Sequence, residues 1–274
     1  MAAYTTVMVG EARIDLIADG DLPVATAELY RGVAEAAWAG RLPVAGAGRV
    51  LAPVHVALVR VDGETILIDA GQGALAEEGG HGGGLREALA ELGVAPEAVT
   101  RVVITHTHGD HLLGLLDPTS GTPLPVFVNA RHHLPRADWA WVEGFPVEQR
   151  EGYLGPLRGL PQLTLDGDED ALTRSVRYVA APGHTPGHRA VLVESGGAAF
   201  CFLGDLVHDP ALQFADPMRV TAWDALPERT PDARRELAAR ARAGDWLLAA
   251  THAAFPPLGR LAEAVGPGWG WRAG

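Results

Sequence analysis

Thr105-His106-Thr107-His108-Gly109-Asp110-His111 packs three imidazoles and a carboxylate into seven residues. It directly follows the apolar run Val102-Val103-Ile104, which reads as a buried strand. Alternate residues of an extended strand end project the same way, so His106 and His108 face one point in space. Asp110 and His111 then fall where the chain turns toward the next helix. Nitrogen and oxygen donors this close together are a strong metal-ligand signal, and they suit zinc, iron, cobalt or manganese. One site of ordinary size cannot use all four. The spacing points instead to two neighbouring sites, one fed by His106 and His108, the other by Asp110 and His111. Three later stretches repeat the pattern of a donor after an apolar run. Residues 176–181 lead to His184, Phe200-Cys201-Phe202-Leu203-Gly204 leads to Asp205, and Trp246-Leu247-Leu248-Ala249-Ala250-Thr251 leads to His252. Strand ends of a layered α/β fold are where sites are built. A carboxylate such as Asp205 carries lone pairs on both oxygens and can bridge two metals.

Strands must aim these donors. Residues 5–9 and 12–18 read as two strands about Gly10, and residues 55–61 and 64–69 as a hairpin about Asp62-Gly63, a tight-turn pair. Further strands are expected over 126–129, 176–180, 190–194, 198–203 and 246–250. Helices are expected over 27–39, 85–92 with Gly93 as the stop, 131–143, 146–153 and 232–243, the last with Thr230 as cap and Pro231 at its first position. The glycine-rich stretch 79–84 reads as a flexible surface loop, since its place after a strand does not fit a phosphate-binding fingerprint. Residues 21–53 are the least regular part. They are expected to form a lid or an oligomer contact, with Tyr30 and Trp38 placed to cover a pocket. Periodicity alone says α/β, and the length suits one domain.

The ordered series His106-x-His108-x-Asp110-His111, His184, Asp205, His252, with Leu67-Ile68-Asp69-Ala70-Gly71 before it, resembles the metal-binding series of the metallo-β-lactamase-fold hydrolases. The likeness runs from Val54 to the C-terminus. It implies a single domain over residues 1–274 folded as a four-layer αβ/βα sandwich. It places His106, His108 and His184 on one divalent metal, Asp110, His111 and His252 on the other, and Asp205 between them. Gly204-Asp205-Leu206-Val207-His208, Gln213-Phe214-Ala215-Asp216-Pro217, Ala250-Thr251-His252-Ala253-Ala254-Phe255-Pro256 and Gly268-Trp269-Gly270-Trp271 are similar to the methyl parathion hydrolase branch, which is itself similar to the quorum-quenching acyl-homoserine lactonases. This implies a dinuclear hydrolase of an ester or lactone, or of a phosphotriester, with two divalent cations, zinc foremost, sharing Asp205 and a bridging hydroxide. A glyoxalase II-type thioesterase and an iron persulfide dioxygenase resemble the same ligand order. A non-catalytic binding domain would not need an open metal site.

Asp69 reads either as an acceptor that fixes the tautomer of a ligand imidazole or as a solvated turn carboxylate. In the lactonases a Tyr resembling position 208 contacts the substrate. Here the residue is His208, which leaves its role open between pocket and structure; an imidazole there can polarise a carbonyl or pass a proton. Asp110 and His208 are the candidate proton carriers to the departing oxygen. His188 is expected to stabilise the turn 183–187, His132 and His133 to meet solvent from a helix, and His81 to be exposed, while His55 is open. Trp139, Trp141 and Phe145 read as core more than pocket.

The formal net charge is −12, which disfavours a nucleic-acid partner. All 22 basic residues are Arg, which removes Schiff-base catalysis. Cys201 is alone and sits in an apolar run, so no internal disulfide forms and an inert thiol is expected. No basic segment followed by an apolar one opens the chain, and no apolar run is long enough to span a bilayer. The expectation is a cytoplasmic enzyme for a small molecule, with no nucleic-acid or membrane partner and with a homodimer as one arrangement that residues 21–53 would allow.

Overall fold

Strands that are apolar on both faces belong in the middle of a stack of layers. In the strand Arg49–Val61, Val56 and Leu58 pack to one side and Ala57 and Val59 to the other, as a two-residue period requires. The computed structural model describes residues 3–30, 40–42, 44–46, 48–73, 81–117 and 123–274. The first sheet runs, in spatial and chain order, β1 (Tyr4–Val9), β2 (Ala12–Ala25), β3 (Arg49–Val61), β4 (Glu64–Ile68), β5 (Arg101–Val103), β6 (Arg131–Pro135) and β7 (Leu163–Asp166). Short strands Val44–Gly46 and His81–Gly82 pair onto β3 and β2. The second sheet runs β8 (Val176–Ala180), β9 (Arg189–Ser195), β10 (Ala198–Phe202), β11 (Leu247–Ala249), β12 (Leu258–Val265) and β13 (Gly268–Ala273).

The inner faces of the sheets meet through Val59, Ile66 and Ile68 against Val191, Phe200 and Phe202. Helices α1 (Leu85–Glu91), α2 (Arg136–Glu143) and α3 (Val147–Leu157) close the outer face of the first sheet, with Leu89, Val142 and Leu154 joining the cluster of Val56, Leu58 and Val102. Helix α4 (Thr230–Ala243) closes the other side, where Leu237 and Ala241 join Leu192 and Cys201. The four layers are those the sequence led us to expect. Cys201 is fully buried, and burial pushes its thiol up to about 12. No helix among the described residues is long and apolar enough to cross a membrane.

Two parallel pairs decide where the site forms. Strands β4 and β5 pair in parallel with Ile68 opposite Val103, and β10 and β11 pair in parallel with Phe202 opposite Ala249. Parallel neighbours end at one edge of their sheet. The loops that leave these strands carry Asp69, His106 to His111, Asp205 and His252.

The expected hairpin about Asp62-Gly63 is present, both residues at positive φ and Val61 opposite Glu64. Four expectations change. Residues 126–129 form bends and a turn, and the strand comes later, at β6. The helix expected over 131–143 starts only at Arg136, because Pro135 is extended (φ −66°, ψ 122°) and ends a strand. His132 and His133 therefore sit on β6, paired with Val102 and Val103, and are buried. Thr230 does not cap α4; Arg229 holds that place and the Thr230 hydroxyl donates to the Leu226 carbonyl. In the stretch expected as a helix over 27–39, a short helix Thr26–Leu29 ends at the extended Tyr30, and Trp38 lies outside the described residues. Residues 79–80 and the side chain of His81 also lie outside them, while the strand His81–Gly82 pairs with Gly20 and Asp21.

The β1–β2 turn leans on the β9–β10 turn. Gly10 has φ +57°, and a Cβ there would stand 2.2 Å from the Ser195 carbonyl oxygen. Gly10→Ala is thus both strained and obstructed, and is expected to destabilise by more than about 1 kcal/mol. Thermal unfolding should show a Tm lowered by roughly 2–4 °C or more; an unchanged Tm would contradict this close approach.

Candidate metal centre

Asp69, at the end of β4, takes a positive φ of 58° that turns its carboxylate back toward the neighbouring strand end. Its Oδ1 accepts from the Thr105 amide at 2.8 Å, and its Oδ2 accepts from the Thr105 hydroxyl at 2.9 Å and from His111 Nδ1 at 2.7 Å. That holds a proton on His111 Nδ1 and turns Nε2 toward the other donors. The expected pairing of Asp69 with an imidazole is therefore present in the geometry. His184 and His252 are set in the same way. His184 Nδ1 donates to Asp224 Oδ1 at 3.0 Å, and His252 Nδ1 donates to the Pro53 carbonyl at 2.7 Å.

All seven residues expected as ligands meet at this edge. His106 Nε2 and His184 Nε2 lie 3.1 and 2.9 Å from His108 Nδ1, and Asp205 Oδ2 lies 3.2 Å from His184 Nε2 and 3.8 Å from His106 Nε2. On the other side, Asp110 Oδ2 is 3.4 Å from His111 Nε2 and 3.5 Å from His252 Nε2. Asp205 reaches this group too, with Oδ1 3.2 Å from His111 Nε2 and Oδ2 3.1 Å from His252 Nε2. A tetrahedron of donors with bonds of about 2.1 Å has edges of roughly 3.4 Å. Both groups match that spacing, and Asp205 belongs to both.

The polar accounting agrees. Among the described residues, His111 Nε2 and Asp205 Oδ1 are buried without a hydrogen-bond partner, which is costly unless something else meets them. Burial, then neighbouring imidazoles, hold His106 and His108 well below the ordinary histidine range, His108 at about 3; both are neutral and free to donate lone pairs. Burial also opposes charge on His184, yet Asp205 and Asp224 hold it up at about 9. The carboxylates draw positive charge into the cluster, and a cation supplies it as well as protons do. The donor set fits divalent metal ions.

Two supports were not legible beforehand, Asp224 and Asp138. Asp224 orients His184 from a segment with no spacing signal. Asp138, on α2, is fully buried. Its Oδ2 accepts from the Thr107 amide at 3.0 Å and the Thr185 hydroxyl at 2.8 Å, and its Oδ1 accepts from the Gly187 amide at 2.6 Å. It ties the loop of His106 and His108 to the loop of His184. Burial pushes its carboxyl up even with these donors. His188, expected to brace the turn 183–187, spans further: Nδ1 donates to the Ala181 carbonyl and Nε2 accepts from the Asp205 amide at 3.0 Å. His55 is buried, and its Nδ1 donates to the Thr251 carbonyl at 2.7 Å, beside His252.

A cavity of about 440 Å³ opens over the donors, walled by Leu22, Val24, Ala52, Tyr153 and Trp223 as well as by His108, Asp110 and Asp205. A second, of about 410 Å³, adjoins it and shares only Ala52 and His252 with it among the described residues. Tyr30 and His208 line this second cavity. Trp139, Trp141 and Phe145 line neither and belong to the core under α2. The Phe214 and Trp271 rings, from two of the quoted branch motifs, stack 6.0 Å apart.

A family model described as the metallo-beta-lactamase superfamily matches residues 49–252, well over half of the chain. The chain belongs to the metallo-beta-lactamase superfamily. This superfamily chain is 32% identical to the hydroxyacylglutathione hydrolase of Cupriavidus taiwanensis over 191 residues, 66% of this chain and 59% of that protein. It is 39% identical to a ribonuclease Z of Methanothermobacter thermautotrophicus over 57 residues, 21% of this chain and 15% of that protein. The matches thus span less than two thirds of either relative. Among solved structures, AidC, a dizinc quorum-quenching lactonase in complex with a homoserine product, is similar at a TM-score of 0.86 and 19% identity, covering 100% of this chain and 98% of that one. At that identity the likeness shows the fold.

Asp138→Asn sets an NH₂ group against donors from one of the two loops. A buried donor left without an acceptor costs roughly 1–3 kcal/mol. The variant is expected to unfold at lower denaturant by about that amount, measured by equilibrium unfolding with an unchanged m-value; stability equal to the parent would mean that Asp138 does not bind the loops together.

Proposed function

We propose that this protein is a metal-dependent hydrolase that holds two divalent cations and opens an ester or lactone. The observation that carries the reading is Asp205, whose Oδ2 lies beside His184 of one donor group and His252 of the other, with Oδ1 beside His111, all at the spacing of a metal's ligands. In this reading His106, His108 and His184 hold one cation, Asp110, His111 and His252 hold the other, and Asp205 joins them. Zinc, iron, cobalt and manganese all suit such nitrogen and oxygen donors, and the dizinc AidC supports zinc first. Bound there, the pair supplies Lewis acidity and lowers the pKa of water toward neutrality.

The chain's own groups do the rest. Asp69, Asp224 and the Pro53 carbonyl hold three imidazoles in the tautomer that points a lone pair inward. Asp110, half-buried at the floor of the larger cavity, is the carboxylate placed to carry a proton to the departing oxygen. The aliphatic wall of Leu22, Val24 and Ala52, with Trp223, favours an uncharged, largely apolar small molecule and keeps water from its reacting carbonyl. From the stretch expected as a lid or an oligomer contact, Leu22, Val24 and Ala52 thus serve as a wall of the substrate cavity. A phosphotriester, which also presents an uncharged centre to attack, fits the same floor. A thioester is the second reading, favoured by the match to hydroxyacylglutathione hydrolase.

Elemental analysis is expected to find about two metals per chain; at most one after saturation would sink the two-cation reading. Lactones, aryl esters, phosphotriesters and S-acyl thioesters tested side by side should give the highest kcat/KM on a lactone or aryl ester, and a clear preference for the thioester would move the assignment to the second reading. Asp205→Asn keeps the shape of the side chain but removes the charge between the two groups. Turnover should fall by roughly a hundredfold or more, with metal lost more easily on dialysis. Near-native turnover at full metal content would show that Asp205 does not join the sites.

A further inference from the structure

His208 does not line the cavity above the donors; it faces them from the adjoining one. Its side chain is 4% exposed, and neither ring nitrogen has a hydrogen-bond partner among the described residues. Buried polar atoms without partners are rare, because each one loses its water for nothing. Nor is the ring loosely held. It stacks on His252 with centroids 5.1 Å apart and 13° between planes, and lies 5.7 Å from Trp223. The amides of His208 and Asp209 both donate to Gln213 Oε1, and Gln213 Nε2 donates to the Arg219 carbonyl. A pinned loop and a stacked ring thus aim an unpartnered imidazole. What lies before it is Asp205 Oδ2, 3.5 Å from His208 Nε2; the same oxygen is 3.1 Å from His252 Nε2. One ligand atom from each of Asp205, His208 and His252 lies within 4.8 Å of the other two. The two separations from Asp205 Oδ2, 3.1 and 3.5 Å, bracket the roughly 3.4 Å edge of a tetrahedral donor set.

We propose that Asp205, His208 and His252 form a second seat for the cation that Asp110, His111 and His252 hold. The inference rests on the two-cation reading above. His252 Nδ1 is taken by the Pro53 carbonyl, so the residue has a single lone pair to give, at Nε2. The two seats therefore exclude each other at His252, and the total stays at two cations per chain. His208 acts on the cation and not on the substrate, and Gln213 positions it.

The whole chain, stripped of metal and titrated with Co²⁺ while its visible absorption is followed, tests this. The proteins compared are the parent, His208→Phe, Asp110→Asn and the double variant; Phe keeps a stacking ring without nitrogens. The Asp110→Asn protein should still take a second equivalent, because the other seat remains, and adding His208→Phe should weaken that equivalent by roughly 10–100-fold. In the parent background His208→Phe should keep two equivalents and change the spectrum of the second. If the second equivalent in Asp110→Asn keeps its affinity and spectrum when His208 is replaced, the second seat does not exist. A parent protein that takes only one equivalent would overturn the two-cation reading itself. Should His208→Phe fail to fold, judged by circular dichroism, His208→Leu takes its place with the same two outcomes.

Discussion

A carboxylate taken out of water must be met by hydrogen-bond donors or by positive charge, and this molecule buries four of them at one edge. Asp69, Asp138, Asp205 and Asp224 are all within 3% of full burial, and none has an ion pair with an Arg among the described residues. Three are met by the protein itself, Asp224 by the Thr221 amide and His184 Nδ1. Asp138 collects amides and hydroxyls from two loops, and Asp69 collects Thr105 and His111. Asp205 is different, because its Oδ1 has no hydrogen-bond donor among the described residues and it is ringed by imidazoles that can give lone pairs to a cation. The rest of the site follows from that imbalance. The imidazoles are fixed from behind so that their lone pairs point inward, and the whole group asks for a cation.

The four-layer fold answers the same constraint from the other direction. Buried carboxylates need a rigid frame, and strands with two buried faces supply it. Parallel pairing of β4 with β5 and of β10 with β11 brings four strand ends to one edge, while Arg189 ties the sheets together there. Its guanidinium, fully buried, donates to the carbonyls of Ile104, His133 and Gly167, and lies 3.5 Å from the Tyr178 ring. Ile104 is two residues before His106, so this cation, without a carboxylate ion pair among the described residues, steadies the strand end that carries the first donors.

Much of this was readable in the chain because it is local. His106 to His111 lie within one turn of backbone after an apolar run, and a donor at the end of an apolar run recurs at His184, Asp205 and His252. The hairpin at Asp62-Gly63 is equally local, since two positive φ values select its residues. What escaped depends on distant contacts. Asp138 sits on a helix whose polar residues look like a solvent face, and only the arrival of Thr185 and Gly187 from the second half of the chain buries it. His132 and His133 read as helical until β5 and β7 are seen on either side, where pairing overrides local preference. His208 was visible as a residue near Asp205, but its orientation depends on Gln213 and His252.

The donors' positions along the chain bear on how the molecule is assembled. The group around His108 takes two members from the loop after β5 and two, His184 and Asp205, from the far half of the sequence, and the group around Asp110 likewise waits for His252. Neither half can close a complete donor set alone. Contacts of such long sequence separation form late and slowly, so a cation cannot template the early stages of folding. It rewards only the finished sandwich, where free ion shifts the balance toward the native state by mass action.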